Sequence, residues 1–127
     1  MNKWFILICM ILCHIIDDYY LQGILAQMKQ KEWWEKNAPN HMYKYDYLMA
    51  LFVHSFSWAF AIMLPTVLYE MADRTLPYIY FILFVLNAMI HMLIDNEKAN
   101  RKTINLIQDQ CLHIVQIIIS WFCIVYI

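Results

Sequence analysis

Hydrophobic and polar positions divide this chain into four long apolar stretches and three polar connections. The apolar stretches cover residues 4–22, 47–69, 77–94 and 104–127. A helix needs about 20 apolar residues to cross the roughly 30 Å hydrocarbon layer of a bilayer. Backbone polar groups cannot be left unpaired in lipid, so each stretch is expected to be helical. The pattern therefore predicts an all-α, polytopic membrane protein.

The connections predict how the four spans are arranged. Residues 70–76 and 96–103 are short, which favours antiparallel neighbours and one antiparallel four-helix transmembrane bundle. Residues 23–46 are longer and combine charged residues with Trp33, Trp34 and several tyrosines, a mixture suited to the headgroup layer. We predict an interfacial helix over residues 26–36, ended by the sequence Asn-Ala-Pro-Asn at 37–40. A simple solvated loop is the alternative.

Composition agrees with a membrane protein. Hydrophobic residues make up 63% of the chain, which has one glycine, and the mean hydropathy is +0.49; an ordinary soluble domain is more polar and richer in turn formers. The first stretch follows Lys3, but no small-residue cleavage pattern follows and His14, Asp17 and Asp18 interrupt it. We therefore expect a retained span rather than a signal peptide. The four cysteines form no C-x-x-C pair and are expected to be small buried residues.

The distribution of charge predicts the topology. The connections 23–46 and 96–103 together carry seven lysines and arginines, whereas the opposite side carries only Lys3 and Arg74. By the positive-inside rule, both connections are cytoplasmic and both termini lie outside. The net charge of −1, without a basic stripe, gives no indication of a nucleic-acid partner. The expected partner is the lipid bilayer, and the small size leaves a homodimer open.

Ionisable residues within the apolar stretches are the strongest functional signal. Each stretch holds one histidine, and three of these have an aspartate four residues away, on the same helix face. The residues are His14, His54, His91, His113, Asp18, Asp95 and Asp109. Each costs at least a few kcal/mol in hydrocarbon. In the predicted topology they share the cytoplasmic half of the membrane, so we expect one site that opens inward.

Imidazole and carboxylate together suit a divalent metal, with zinc favoured over manganese or iron. All four histidines and the three aspartates are candidate ligands, for one ion or two. The aspartates are also candidate proton acceptors, and Asp18 is favoured because Tyr19 and Gln22 lie beside it. Candidate substrate-binding residues are Tyr19, Gln22, Lys98, Arg101 and Gln110. Asp17 points about 100° away from Asp18 on a regular helix, and His41 is expected to be solvated.

Four ordered motifs give the chain a family resemblance. They are H-x3-D-Y-x2-Q from His14 to Gln22, the isolated His54, H-x3-D from His91 to Asp95, and D-Q-x2-H from Asp109 to His113. Together they resemble a family of small integral membrane proteins of bacteria and phages that is catalogued as a domain of unknown function. The resemblance covers essentially the whole chain. It implies four spans in the plasma (inner) membrane of a bacterium and adds weight to the motif residues, but it implies no reaction.

Four functions are compatible with these residues. A metal-dependent hydrolase would act on a lipid or another amphipathic substrate from the cytoplasmic leaflet. A divalent-cation or proton transporter would use the same groups as a relay, although the outer halves of the first and fourth spans offer no polar residues to continue the path. A bis-histidine haem protein would leave the aspartates without a role. A structural or partner-binding protein would use Asp–His hydrogen bonds to join its helices.

Overall fold

The computed structural model describes residues 2–71 and 77–126. Within them the chain is helical, and no strand occurs. The predicted outer turn at 70–76 falls mostly outside the described residues. The α-helices are α1 (Lys3–Ile15), α2 (Leu25–Met28), α3 (Lys31–Asn37), α4 (Asp46–Met71), α5 (Tyr78–Asn96) and α6 (Leu106–Tyr126).

Four helical segments are long and apolar enough to cross a membrane: Lys3–Leu21, His41–Met71, Tyr78–Arg101 and Leu106–Tyr126. They coincide with the four predicted spans, so helical structure of spanning length is confirmed for each. Polar side chains cap the first turn of two of these helices. The Asn2 side chain accepts from the Trp4 N–H at 3.0 Å, and Asn105 and Gln108 cap each other reciprocally at the start of α6.

The helix predicted over residues 26–36 is replaced by two short helices, α2 and α3. Lys29 and Gln30 separate them, and Gln30 has extended backbone angles. Asn100 holds the chain at this break: its amide donates to the Lys29 carbonyl at 3.0 Å, and its carbonyl accepts from the Lys31 N–H at 2.7 Å. The break directs the Lys29 side chain toward the long helices instead of along a surface.

The third span is longer than predicted, because α5 continues into a π-helical turn, Glu97–Arg101, where a loop was expected. Side-chain pairs four residues apart support this turn. Asn100 donates to Asn96 at 2.9 Å, and Arg101 pairs with Glu97 at 2.7 Å. The turn ends at Lys102, which has a left-handed backbone conformation. As a result Lys98 lies on a helix and faces the start of α6.

The long helices bury one apolar core and leave other large apolar side chains exposed. α4 contacts α1 and α5 extensively, and α6 contacts α1 and α5. Fully buried core residues include Ile6, Met10, Trp58, Ile62 and Ile117. On the outer faces, residues such as Phe60, Phe81 and Ile119 are more than half exposed. A helix that is apolar on both its buried and its exposed face is typical of membrane spans.

Candidate metal centre

The four predicted histidines converge near one end of the long helices, the end joined by residues 22–45 and 102–105 and called here the connection end. All four are at most 1% exposed. Asp95 and Asp109 are buried as completely, and the Asp18 side chain is 5% exposed. Six ionisable groups from α4, α5, α6 and the end of the first span therefore share one interior region with His14.

Asp95 is the centre of this cluster. Its Oδ2 lies 3.3 Å from Nε2 of His54 and 3.7 Å from Nε2 of His91. Its Oδ1 lies 3.4 Å from Nε2 of His113. The sequence pairs Asp95 with His91 one turn away, whereas the fold places it against histidines from three helices.

Three histidines form a continuous chain of ring contacts. Nε2 of His91 lies 3.1 Å from Nε2 of His54, and Nδ1 of His91 lies 3.2 Å from Nδ1 of His113. Two imidazole nitrogens at such distances repel each other through their lone pairs unless a proton or a cation lies between them. Trp58 stacks on the His91 ring, with centroids 4.1 Å apart and 16° between the planes. The orientation of His91 is therefore fixed from three sides.

His14 lies beside this chain, and both of its ring nitrogens are already engaged. Nδ1 accepts from the Trp58 indole N–H at 2.8 Å. The ring proton is then on Nε2, which donates to the Gln110 side-chain oxygen at 3.0 Å. The Gln110 amide in turn donates to Asp18 at 2.9 Å and to Asp109 at 3.0 Å. His14 and Gln110 therefore hold the carboxylates in place, and among the described residues His14 belongs to none of the groups able to chelate an ion.

A π-helical turn, Ile16–Leu21, changes the face on which the two neighbouring aspartates lie. Asp18 turns to α4, with Oδ1 3.3 Å from Nε2 of His54. Asp17 is also buried: its Oδ1 accepts from the Ser57 hydroxyl at 2.6 Å, and its Oδ2 lies 3.8 Å from Nδ1 of His54. The two carboxylates thus flank His54 on opposite sides. Single π-helical turns inside α-helices occur frequently at functional sites.

Several buried polar atoms in this region have no hydrogen-bond partner among the described residues. They include Oδ1 of Asp95, Oδ1 of Asp109 and Nε2 of His113. Nε2 of His113 lies 3.4 Å from each of the two carboxylate oxygens. An unpaired buried polar group costs about 1–3 kcal/mol, and a proton on Nε2 of His113, facing both carboxylate oxygens, would lower that cost.

The spacing of the donor atoms fits a small divalent cation. Three groups of ligand atoms lie within 4.8 Å of one another: Asp18 with His54 and His91; His91 with Asp95 and His113; and Asp18 with Asp109 and His113. A zinc–nitrogen bond of about 2.0–2.1 Å in a tetrahedron separates neighbouring donors by about 3.3 Å. The separations of 3.1 Å and 3.3 Å around Nε2 of His54 match this value.

Two lysines close the cluster at the connection end. Lys29 donates to Oδ2 of Asp95 at 2.6 Å, and its side chain is only 7% exposed. Lys98 donates to Oδ2 of Asp109 at 2.5 Å and is 28% exposed. The two pairs offset part of the negative charge that the carboxylates bring into the interior.

The remaining predicted residues lie at varying distances from this centre. Gln22 donates to the Asp18 carbonyl at 2.7 Å. The Tyr19 side chain is 56% exposed on an outer face. Arg101 pairs with Glu97 and is largely exposed. His41 begins a short 3-10 helix and is exposed, outside the cluster.

Two residues that organise the site were not among the predicted site residues. Lys29 was one of the positive charges of the connection 23–46, and no proline or glycine marks the break that turns it inward. Trp58 has no ionisable group, but its indole contacts His14 and His91, on the first and third spans.

No curated protein and no solved structure matched this chain. A family model matched residues 6–127, which include every residue of the cluster. The chain therefore belongs to the family described as "Protein of unknown function (DUF3307)".

Proposed function

We propose that this protein is a membrane-embedded metalloenzyme, a metal-dependent hydrolase that acts on a lipid or another amphipathic substrate from the cytoplasmic leaflet. Its four spans form an antiparallel bundle, and α2 and α3 lie at the membrane surface. The observation that carries the proposal is the set of buried donor atoms around Nε2 of His54, spaced 3.1–3.3 Å from it. Hydrogen bonding between helices alone does not require carboxylates and imidazoles to converge in this way.

The proposed ligands are His54, His91 and Asp18, whose ligand atoms lie within 4.8 Å of one another, together with Oδ2 of Asp95, 3.3 Å from Nε2 of His54 and 3.7 Å from Nε2 of His91. Two nitrogens and two carboxylate oxygens suit zinc, with manganese or iron as alternatives, and the reacting water would be a fifth ligand. In this arrangement the proton of His91 is on Nδ1, where it bonds to Nδ1 of His113 at 3.2 Å. The proton of His113 is then on Nε2, 3.4 Å from both Asp95 and Asp109. His113 thereby supports the ligands, and a second ion would require it to give up that proton.

A bound divalent cation would polarise the substrate and favour ionisation of a water molecule. Hydrolysis adds that water across an ester, amide or phosphoester bond: the oxygen goes to the acyl or phosphoryl group, and one proton goes to the leaving group. Asp109 is assigned to hold the water's proton, because it is not a proposed ligand and shares a group of closely spaced ligand atoms with Asp18 and His113. Its Oδ1 has no hydrogen-bond partner among the described residues. His113 can return a proton from Nε2, 3.4 Å away.

The experiment that tests this function uses purified full-length protein in detergent. Inner-leaflet lipids are presented to the metal-loaded protein and to protein stripped with a chelator, and the products are identified by mass. We expect two products whose summed mass exceeds that of the lipid by one water. Product formation should stop when the metal is removed by the chelator and resume when zinc is added. If the metal-loaded protein alters no lipid, the hydrolase assignment fails.

Topology is testable separately. An Asn37→Cys variant is expected to react with a membrane-impermeant thiol reagent only after the cells are permeabilised, since residues 23–46 carry four lysines. The wild-type protein serves as the control for its own cysteines. Labelling of intact cells would place the connection end outside and reverse the direction of substrate entry.

Transport is a second candidate, favoured by a buried polar group on the far side of the cluster. Asn87 donates to Ser120 at 2.8 Å, and Gln116 donates to Asn87 at 2.8 Å. Beyond this group, Ile6 and Ile62 are fully buried and apolar, which argues against a continuous polar path. Metal flux into proteoliposomes that is lost in an Asn87→Leu variant would favour transport over hydrolysis.

The close packing of the rings disfavours haem. His54 and His91 approach within 3.1 Å through their Nε2 atoms. A bis-histidine haem needs its macrocycle between the two ligating nitrogens. This arrangement accommodates a single ion between the rings more readily than a porphyrin.

A further inference from the structure

A cavity of about 570 Å³ lies at the connection end, next to the His/Asp cluster. It is lined by residues from the end of the first span, from the segment around α2 and from the π-helical turn after α5. The charged lining residues are Lys29, Lys98, Lys102 and Glu32. Glu32 pairs with Lys102, whereas Lys29 and Lys98 pair with carboxylates of the His/Asp cluster.

These two lysines connect the cavity directly to the proposed metal centre. The Lys29 amine contacts Asp95, one of the proposed ligands, at 2.6 Å, and the Lys98 amine contacts Asp109, the proposed proton acceptor, at 2.5 Å. A cation bound by Asp95 would weaken the attraction that holds the Lys29 amine. Each amine also carries three N–H donors and gives one to its carboxylate, so further donors remain for an anion in the cavity.

The rest of the lining suits an amphipathic molecule. Gln22 and Gln30 add polar groups, whereas Ala26, Ala99 and Ile104 add apolar surface. Next to the cavity, Leu21, Ile24 and Leu106 are more than half exposed. An anionic group in the cavity could therefore be joined to a hydrocarbon chain that runs along apolar surface into the bilayer.

We propose that this cavity binds the phosphate group of an amphipathic substrate, with Lys29 and Lys98 as its charged contacts. The inference rests on the proposed function and narrows its substrate class to phosphate-bearing lipids. Lysine amines are common contacts for phosphate, and charge-assisted hydrogen bonds of this kind are strong. Arg101 is excluded from this role because it pairs with Glu97 and does not line the cavity.

Native mass spectrometry of the full-length protein in detergent tests the proposal, because it counts bound zinc and bound lipid separately. The probes are dioleoylphosphatidic acid, dioleoylglycerol, which lacks the phosphate, and inorganic phosphate, which lacks the chains. Zinc-loaded wild type is expected to bind phosphatidic acid at least about tenfold more tightly than either other probe. If dioleoylglycerol binds as tightly as phosphatidic acid, the cavity does not recognise phosphate. If inorganic phosphate binds as tightly as phosphatidic acid, the cavity does not recognise a lipid.

Lysine variants locate the site. Lys29→Gln and Lys98→Gln are each expected to weaken phosphatidic acid binding by about tenfold. Lys36→Gln, with the same charge change at an exposed position outside the cavity, is the matched control. Lys102→Gln alters an exposed cavity residue without a folding risk and is expected to weaken binding by a smaller factor. If the Lys29, Lys98 and Lys102 variants all bind like the wild type, the site is wrongly placed.

The zinc count separates this inference from the proposed function. Retained zinc without a preference for phosphatidic acid would remove the phosphate site and leave the metal centre intact. Preferential binding of phosphatidic acid by wild-type protein that holds no zinc would keep the phosphate site and remove the metal centre.

Discussion

An Asp95→Ala variant is expected to lose both its metal and much of its stability. Asp95 is a proposed ligand, and loss of a ligand should weaken metal binding by more than the 10–100-fold typical of an outer partner. The same change leaves the Lys29 amine, on a side chain only 7% exposed, without its partner. Breaking one side of a buried ion pair costs about 3–5 kcal/mol. Thermal unfolding and elemental analysis of the purified variant measure the two effects.

A double variant separates the two contributions. Asp95→Ala combined with Lys29→Met removes the buried charge together with its partner, so stability should largely return while the metal stays absent. Glu35→Gln, an exposed acidic position on α3, is the control and should change neither property. If Asp95→Ala keeps its metal, Asp95 is a structural partner of Lys29 and not a ligand.

An Asp109→Asn variant is expected to keep its metal and lose about 10²–10⁴-fold in turnover. The substitution preserves shape, and the new amide oxygen can still accept from Lys98 and Gln110. It removes the carboxylate that holds the proton of the attacking water. Turnover of the lipid found by product analysis, measured beside the zinc content, gives both quantities.

The matched comparison is Asp18→Asn, which alters a proposed ligand on the other side of Gln110. This variant should lose zinc and turnover together. If Asp18→Asn instead keeps zinc and loses turnover while Asp109→Asn loses zinc, the two roles are exchanged. Asp18 would then be the proton acceptor, as its neighbours in the sequence suggest. Joint loss of zinc in both variants would indicate that Asp109 is also a ligand.

The four spans could be predicted from the sequence because span length and apolar composition follow directly from the thickness of a bilayer. The two π-helical turns could not. Ile16–Leu21 and Glu97–Arg101 insert residues into otherwise regular helices, and neither segment contains a proline or glycine that would mark the change. The spacing of four residues therefore paired Asp18 with His14, whereas the extra residue turns Asp18 toward His54.

The candidate residues were recognisable from their type and depth, but their partners depend on contacts between distant helices. His14 appeared equivalent to the other histidines, since each lies in an apolar stretch with polar neighbours. Its distinct position follows from Trp58, 44 residues away, whose indole donates to it. Likewise, the contact of Lys29 with Asp95 spans 66 residues and depends on a break in the helix that no proline or glycine marks.

Elemental analysis of the detergent-purified protein, together with an absorption spectrum, decides whether the His/Asp cluster holds a metal ion. We expect one equivalent of zinc per chain in the wild type. We expect near-complete loss of zinc in His54→Ala and His91→Ala, and retention in His14→Ala and in the exposed control His41→Ala. Absence of metal from the wild type, a Soret band, or equal metal content in the His54→Ala variant and the wild type would contradict a zinc centre at this cluster.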